Sequence, residues 1–136
     1  KGINEKEHTA LYLKVIDEIL ASNPNEKFVI LDDYTFFERA TAEARSLYVK
    51  KMRNHPSIKG LVFINASPMF RLNINVGKRL HLNNYPIEIA DTYAEALGLA
   101  KEYLNRPIGV FGNETAASLP NNSFLERIRY IHLWKR

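Results

Sequence analysis

On its sequence the chain folds as an α/β sandwich: a short, mostly parallel sheet packed with about four helices, followed by a C-terminal extension. Three observations predict this. Continuous apolar runs recur at residues 28–31, 61–64 and 87–90. Amphipathic stretches long enough for helices separate them, which implies right-handed crossovers and parallel strands. Turn or cap signals stand where each strand gives way to a helix.

The first helix covers about residues 5–21. Leu11, Val15 and Ile19, with Tyr12, Ile16 and Leu20, recur one helical turn apart and form one broad apolar face. Ser22-Asn23-Pro24-Asn25 ends it, because proline disfavours helix in the residue before it. Residues 28–31 (FVIL) read as a strand covered on both faces. The next helix has two candidate starts, Thr41 as N-cap with Glu43 in the first turn, or the capping box Thr35-Phe36-Phe37-Glu38. Asn54-His55-Pro56 stops it. After the second strand, residues 61–64, Ser67-Pro68 opens a third helix whose apolar residues are Met69, Leu72, Val76 and Leu80. Asn83-Asn84-Tyr85-Pro86 breaks that helix, residues 87–90 form the third strand, and residues 92–104 the last helix.

Residues 105–120 are rich in Gly, Asn and Pro and read as a linker. In residues 123–136, Ser123-Phe124-Leu125-Glu126 is a capping box, which favours a helix, whereas Ile128, Tyr130, His132 and Trp134 alternate as a strand would. The chain thus divides into an α/β domain, residues 1–105, and a linker with extension, residues 106–136.

Composition narrows the function. With 136 residues, 46% hydrophobic and 25% charged, the chain builds one domain with a real core. No apolar run approaches the ~18–20 residues of a membrane span. The absence of cysteine excludes disulfides and thiolate metal sites and fits a reducing cytoplasm. The opening Lys1-Gly2-Ile3 carries no initiator Met and no signal-peptide pattern, as expected of a segment of a longer protein. The net charge of +4 is dispersed. Lys50, Lys51 and Arg53 close one helix and Lys78 and Arg79 another, where cations complement the helix dipole, so nucleic acid is not an expected partner.

Asp32 and Asp33 are the sharpest chemical feature. Paired carboxylates at a strand's end can hold Mg²⁺, and in receiver domains such a pair precedes a phosphoacceptor Asp, then a Thr or Ser, then a Lys. Asp91, Thr115 and Lys135 occur in that order, but the interval to Asp91 is long and the segment around Thr115 lacks an apolar strand. The competing reading is that the pair starts a turn and accepts loop N–H bonds. Histidines 8, 55, 81 and 132 lack metal-site spacing, no serine lies in a nucleophile elbow, and the glycines form no phosphate loop. The segment is therefore expected to be non-catalytic, with no cofactor and no metal.

In parallel sheets, ligands gather outside the carboxyl ends of the strands. That rule selects Asp32, Asp33, Tyr34, Thr41, Asn65, Ser67, Arg71 and Asp91 as a binding surface for a partner's basic side chain or a cation. The alternative role of these residues is to cap helices and satisfy loop backbone. A small-ligand carrier would instead show a pocket between helices and sheet, lined by residues such as Phe70 and Tyr93.

The strand ending in Asp32-Asp33-Tyr34, the helix start Thr41-Ala42-Glu43-Ala44-Arg45, the Ser67-Pro68 helix start and the Tyr93-x-Glu95-Ala96-Leu97 helix together resemble the STAS-like domains, related to anti-sigma-factor antagonists. The likeness spans about residues 5–104 and is nearest to the version fused to PAS-containing bacterial sensor histidine kinases. It implies a cytoplasmic regulatory domain of a two-component system, acting by docking on a PAS or kinase domain, another protein or a small ligand. The β-hairpin that normally opens the family's sheet is absent from the sequence pattern. Thr41 matches the residue phosphorylated in classical members, in Arg39-Ala40-Thr41-Ala42 surroundings that lack the family's Asp-Ser-Ser-Gly.

Overall fold

A computed structural model describes residues 2–80 and 84–106 of the chain. Two short sheets and four helices make up these residues. Strand β1 (Gly2–Asn4) leads into α1 (Lys6–Ser22), β2 (Phe28–Asp33), β3 (Phe37–Ala40) and α2 (Ala42–Met52). Then follow β4 (Ile58–Ile64), α3 (Pro68–Arg79), β5 (Ile87–Ala90) and α4 (Tyr93–Asn105). The main sheet has the order β2-β4-β5 and every pairing is parallel, as the alternation of strands and helices predicts. The receiver-type Thr115 and Lys135, the linker at 107–120 and the capping box at Ser123 lie outside the described residues.

The alternation of side chains along β2 and β4 divides the core in two. Phe28 and Ile30, with Leu61 and Phe63, face a layer containing Leu13, Ile16 and Leu20 of α1 and Met52 of α2. Val29 and Leu31, with Val62 and Ile64, face Ala96, Ala100 and Tyr103 of α4. Ile30 and Val62 are wholly excluded from solvent. Each such side chain contributes about 1.5–3 kcal/mol by leaving water.

The helix starts at Thr41 and Ser67 operate as the sequence indicates, and Thr92, expected as the first residue of the last helix, is its N-cap. Thr41 Oγ1 accepts from the Ala44 N–H at 3.2 Å, Ser67 Oγ from Phe70 at 3.3 Å and Thr92 Oγ1 from Glu95 at 3.1 Å. Helix α2 ends at Arg53, and Asn54 takes a left-handed φ of 64°, which asparagine tolerates.

Two expectations need correction. Residues 37–40 form strand β3 rather than a helical turn, so the Thr35-Phe36-Phe37-Glu38 box opens no helix. β3 pairs in parallel with β1, and Thr41 N–H donates to the Asn4 carbonyl, so a strand does precede the first helix. Secondly, Met69, Leu72, Val76 and Leu80 do not face the core; they are 69%, 58%, 48% and 62% exposed. Phe70 and Ile74 of α3 pack inward instead.

Gly60 marks the closest approach of α4 to the sheet. A Cβ at this position would lie 2.5 Å from Tyr103 Cδ2, inside any tolerable contact. Lys59 beside it donates to the carbonyls of Leu104 and Arg106, closing the C-terminal end of α4. Gly60→Ala is therefore expected to cost about 1–3 kcal/mol of stability in urea unfolding. Combining it with Tyr103→Ala should cost less than the two single changes added, because removal of the ring clears the clash.

Candidate functional site

At the carboxyl ends of the main-sheet strands, a small polar network forms. Asp33 Oδ1 accepts from the Thr35 N–H at 2.9 Å and from its hydroxyl at 2.6 Å, an Asx-type turn. Asn65, in a left-handed conformation with φ 57°, donates its amide to Thr35 Oγ1 at 2.7 Å and Asp33 Oδ1 at 3.4 Å. Its backbone N–H bonds the Ala90 carbonyl. Arg71 pairs with Asp91 and donates through Nε to the Ala66 carbonyl at 2.9 Å. Asp33, Asn65, Arg71 and Asp91 of the predicted surface are thus tied into neighbouring loops, while Ser67 and Thr41 serve as caps.

Asp32 turns the other way. Its side chain follows Phe28 and Ile30 onto the α1/α2 face, whereas Asp33 follows Leu31, so the acidic pair splits across the sheet. Tyr48 of α2 donates to Asp32 Oδ2 at 2.8 Å, and Tyr12 of α1 donates to Oδ1. The two tyrosine rings stack at 6.2 Å. Burial pushes the Asp32 carboxyl above its ordinary value, and the two tyrosine hydrogen bonds oppose that shift. Burial first, and then the Asp32 charge, holds Tyr12, Tyr34 and Tyr48 well above theirs, so the hydroxyls stay protonated donors. Among the described residues no three His, Asp or Glu side chains converge to hold a metal ion.

Next to this cluster lies a cavity of about 240 Å³. α1 packs along α2, whereas α3 leans on β5, and the cavity occupies the gap between α2 and α3. Its floor is Leu61, Phe63 and Ile87; one wall is Ala44, Tyr48 and Met52 of α2, the other Phe70, Ile74 and Gly77 of α3. Tyr34 packs its ring on Phe37, Phe63 and Phe70 with centroids 4.4, 5.1 and 4.7 Å apart, which makes one end aromatic. Asn4 and Thr9 close that end, with Asn4 Nδ2 donating to Thr9 Oγ1 at 3.0 Å. Asn4 Oδ1 is buried and has no hydrogen-bond partner among the described residues.

Of the expected pocket residues, Phe70 lines this cavity; Tyr93 lies on α4, across the sheet. Tyr12, Tyr48 and Asn4 were not among the expected site residues. The first two were legible in principle: with Ile30 in the core, strand alternation sends Asp32 to the same side, where only a helix donor can meet it. Asn4 had no local signal, since the parallel β1–β3 pairing joins segments that share no apolar pattern. No described helix is long and apolar enough to cross a membrane. Comparison of the chain with protein-family models, curated proteins and solved structures finds no match.

The Asp32 cluster has a pH signature. Below the ordinary carboxyl value of 3.8, Asp32 is protonated in folded and unfolded chains alike. As pH rises through its raised folded value, the charged form must exist in a buried place, and stability falls. Asp32→Asn removes this titration. The stability of the native chain minus that of Asp32→Asn, from urea unfolding, should therefore decline as pH rises from about 4 towards the raised folded value; a constant difference would show a well-solvated carboxylate. At neutral pH Tyr48→Phe should destabilise by about 1–3 kcal/mol, the cost of a lost hydrogen bond to a charged acceptor.

Proposed function

We propose that this chain is a non-catalytic regulatory domain of a bacterial signal-transduction protein that works by holding a small ligand between α2 and α3. The cavity of about 240 Å³ carries this reading. Protein interiors leave few voids larger than a water molecule, and an apolar cavity of about 150 Å³ is already enough for benzene. A space of this size, walled by two helices that do not close on each other, is suited to a molecule rather than to packing.

Tyr48 supplies the link from occupancy to signal. It lines the cavity and also donates to the buried Asp32, so a ligand that moves α2 acts on the tyrosine–carboxylate cluster. The resemblance to STAS-like domains supports a sensor histidine kinase as the parent and the cytoplasm as its place, with a PAS or kinase domain as receiver of the change. The Asp33–Asn65 network and the Arg71–Asp91 pair, at the strand ends, form the polar face available for that contact.

Gly77 offers a test that spares the fold. Nothing lies within 4 Å of where its Cβ would stand, and it lines the cavity. Gly77→Leu adds a side chain to that space while relieving a helix of glycine, a gain of up to ~1 kcal/mol. Native mass spectrometry of freshly purified chain should show a retained small molecule, and Gly77→Leu should lose it with no drop in melting temperature. A chain without any adduct, or an adduct kept by Gly77→Leu, contradicts the ligand site. Incubation with acetyl phosphate and Mg²⁺ checks the receiver-like alternative, which requires a phosphoryl group on Asp91.

A further inference from the structure

Resting on the ligand-binding reading above, we propose that the cleft between α2 and α3 takes a small uncharged apolar molecule, about the size of an alkylbenzene. The polar groups of the walls decide the class. Tyr48 and Tyr85 both line the space, yet the first donates to Asp32 Oδ2 at 2.8 Å and the second to the Met52 carbonyl. The hydroxyl of Thr9, itself 1% exposed, is engaged by Asn4 Nδ2 at 3.0 Å. Burial first, and then the Asp32 charge, keeps the Tyr34 hydroxyl protonated, so it brings no charge to the space. Among the described lining residues the charged side chains are Arg45 and Arg53, both exposed. A charged group carried into the cleft would thus leave water without meeting a counter-charge, which disfavours it strongly.

The apolar walls favour a ring. Phe70 stands 4.7 Å from Tyr34 and 5.0 Å from Phe63, ring centre to ring centre, and all three line the space. Edges and faces at these spacings suit a further ring. Gly77 is the second, independent observation. Glycine inside a helix is unfavourable relative to alanine, so a glycine at this place in α3 needs a cause. Its backbone is not left-handed, and nothing stands within 4 Å of where its Cβ would be, so neither conformation nor packing supplies one. At Gly60 the missing side chain makes room for the Tyr103 ring. At half-buried Gly77 the same absence faces the empty cleft, where a guest ring can lie. An apolar cavity of about 150 Å³ holds benzene, and about 240 Å³ leaves room for a ring with a short alkyl group.

The test uses the full 136-residue chain and three probes of one ring each: toluene, benzoate and benzylammonium. In isothermal titration calorimetry toluene should bind with a dissociation constant below about 1 mM. Benzoate and benzylammonium should bind at least about tenfold more weakly. The chain's two methionines report the place. Met52 lines the cleft and is 2% exposed, whereas Met69 is 69% exposed on the outer side of α3. With ¹³C-methyl methionine, toluene should shift the Met52 resonance and leave that of Met69 in place. Gly77→Leu should weaken toluene at least about tenfold while circular dichroism reports a folded chain; should that variant not fold, the Met52 resonance of the native chain still decides. Binding of either ion as tightly as toluene, or no binding of toluene, overturns the ligand class. Toluene binding that leaves Met52 unmoved places the ligand elsewhere and also overturns it. If toluene fails but native mass spectrometry finds a molecule that Gly77→Leu excludes, the ligand-binding function stands and only its chemistry changes; without such a molecule both fall.

Discussion

Strand β4 is the constraint on which the described fold turns. It lies between β2 and β5, and its residues from Leu61 to Ile64 are buried without exception, alternately towards α1 and α2 and towards α4. A strand in that position has no polar face to give up, so its sequence must be apolar throughout. Gly60 at its start carries the same constraint in another form. The backbone there is the surface on which Tyr103 rests, and no side chain fits between them.

The two faces of the sheet are filled unequally. One helix, α4, covers its face with small residues, Ala96 and Ala100, that let it settle closely. The opposite face carries α1, α2 and α3, and the third of these is set apart. Phe70 and Ile74 are its inward contacts, and its remaining apolar residues face outward. A helix anchored by so few side chains against a sheet edge leaves room beside it, which is the origin of the cleft. The chemistry of the lining then follows from which residues the neighbouring elements happen to bring: aromatic rings from β3 and β4, arginines from α2, and an asparagine from β1.

Asp32 connects that cleft to the body of the protein. A carboxylate on the core side of a sheet is costly unless it is hydrogen-bonded, and here tyrosines from two different helices meet it. The arrangement therefore joins α1, α2 and β2 through one group. Because Tyr48 also stands on the wall of the cleft, strain there and protonation at Asp32 act on the same helix. The ion pairs elsewhere, such as Lys51 with Asp17 and Lys78 with Glu88, are solvent-exposed and contribute little by comparison.

Local signals in the sequence were enough for the main strands, the four helices and their caps. Apolar runs of strand length, helical periodicity in α1 and the hydroxyls at Thr41, Ser67 and Thr92 each act within a few residues, so they are visible without knowing the fold. Residues at the strand ends were also legible as polar junctions, since parallel topology brings Asp33, Asn65 and Asp91 to one edge. Tertiary structure alone decided the rest. Whether α3 buries Leu72 or Ile74 depends on how far it stands from β5, because both lie on faces with apolar content. The β1–β3 pairing depends on segments more than thirty residues apart meeting in space. The split of Asp32 from Asp33, the tyrosines that meet Asp32 and the unpartnered oxygen of Asn4 all arise between elements distant in sequence, where no local pattern reaches.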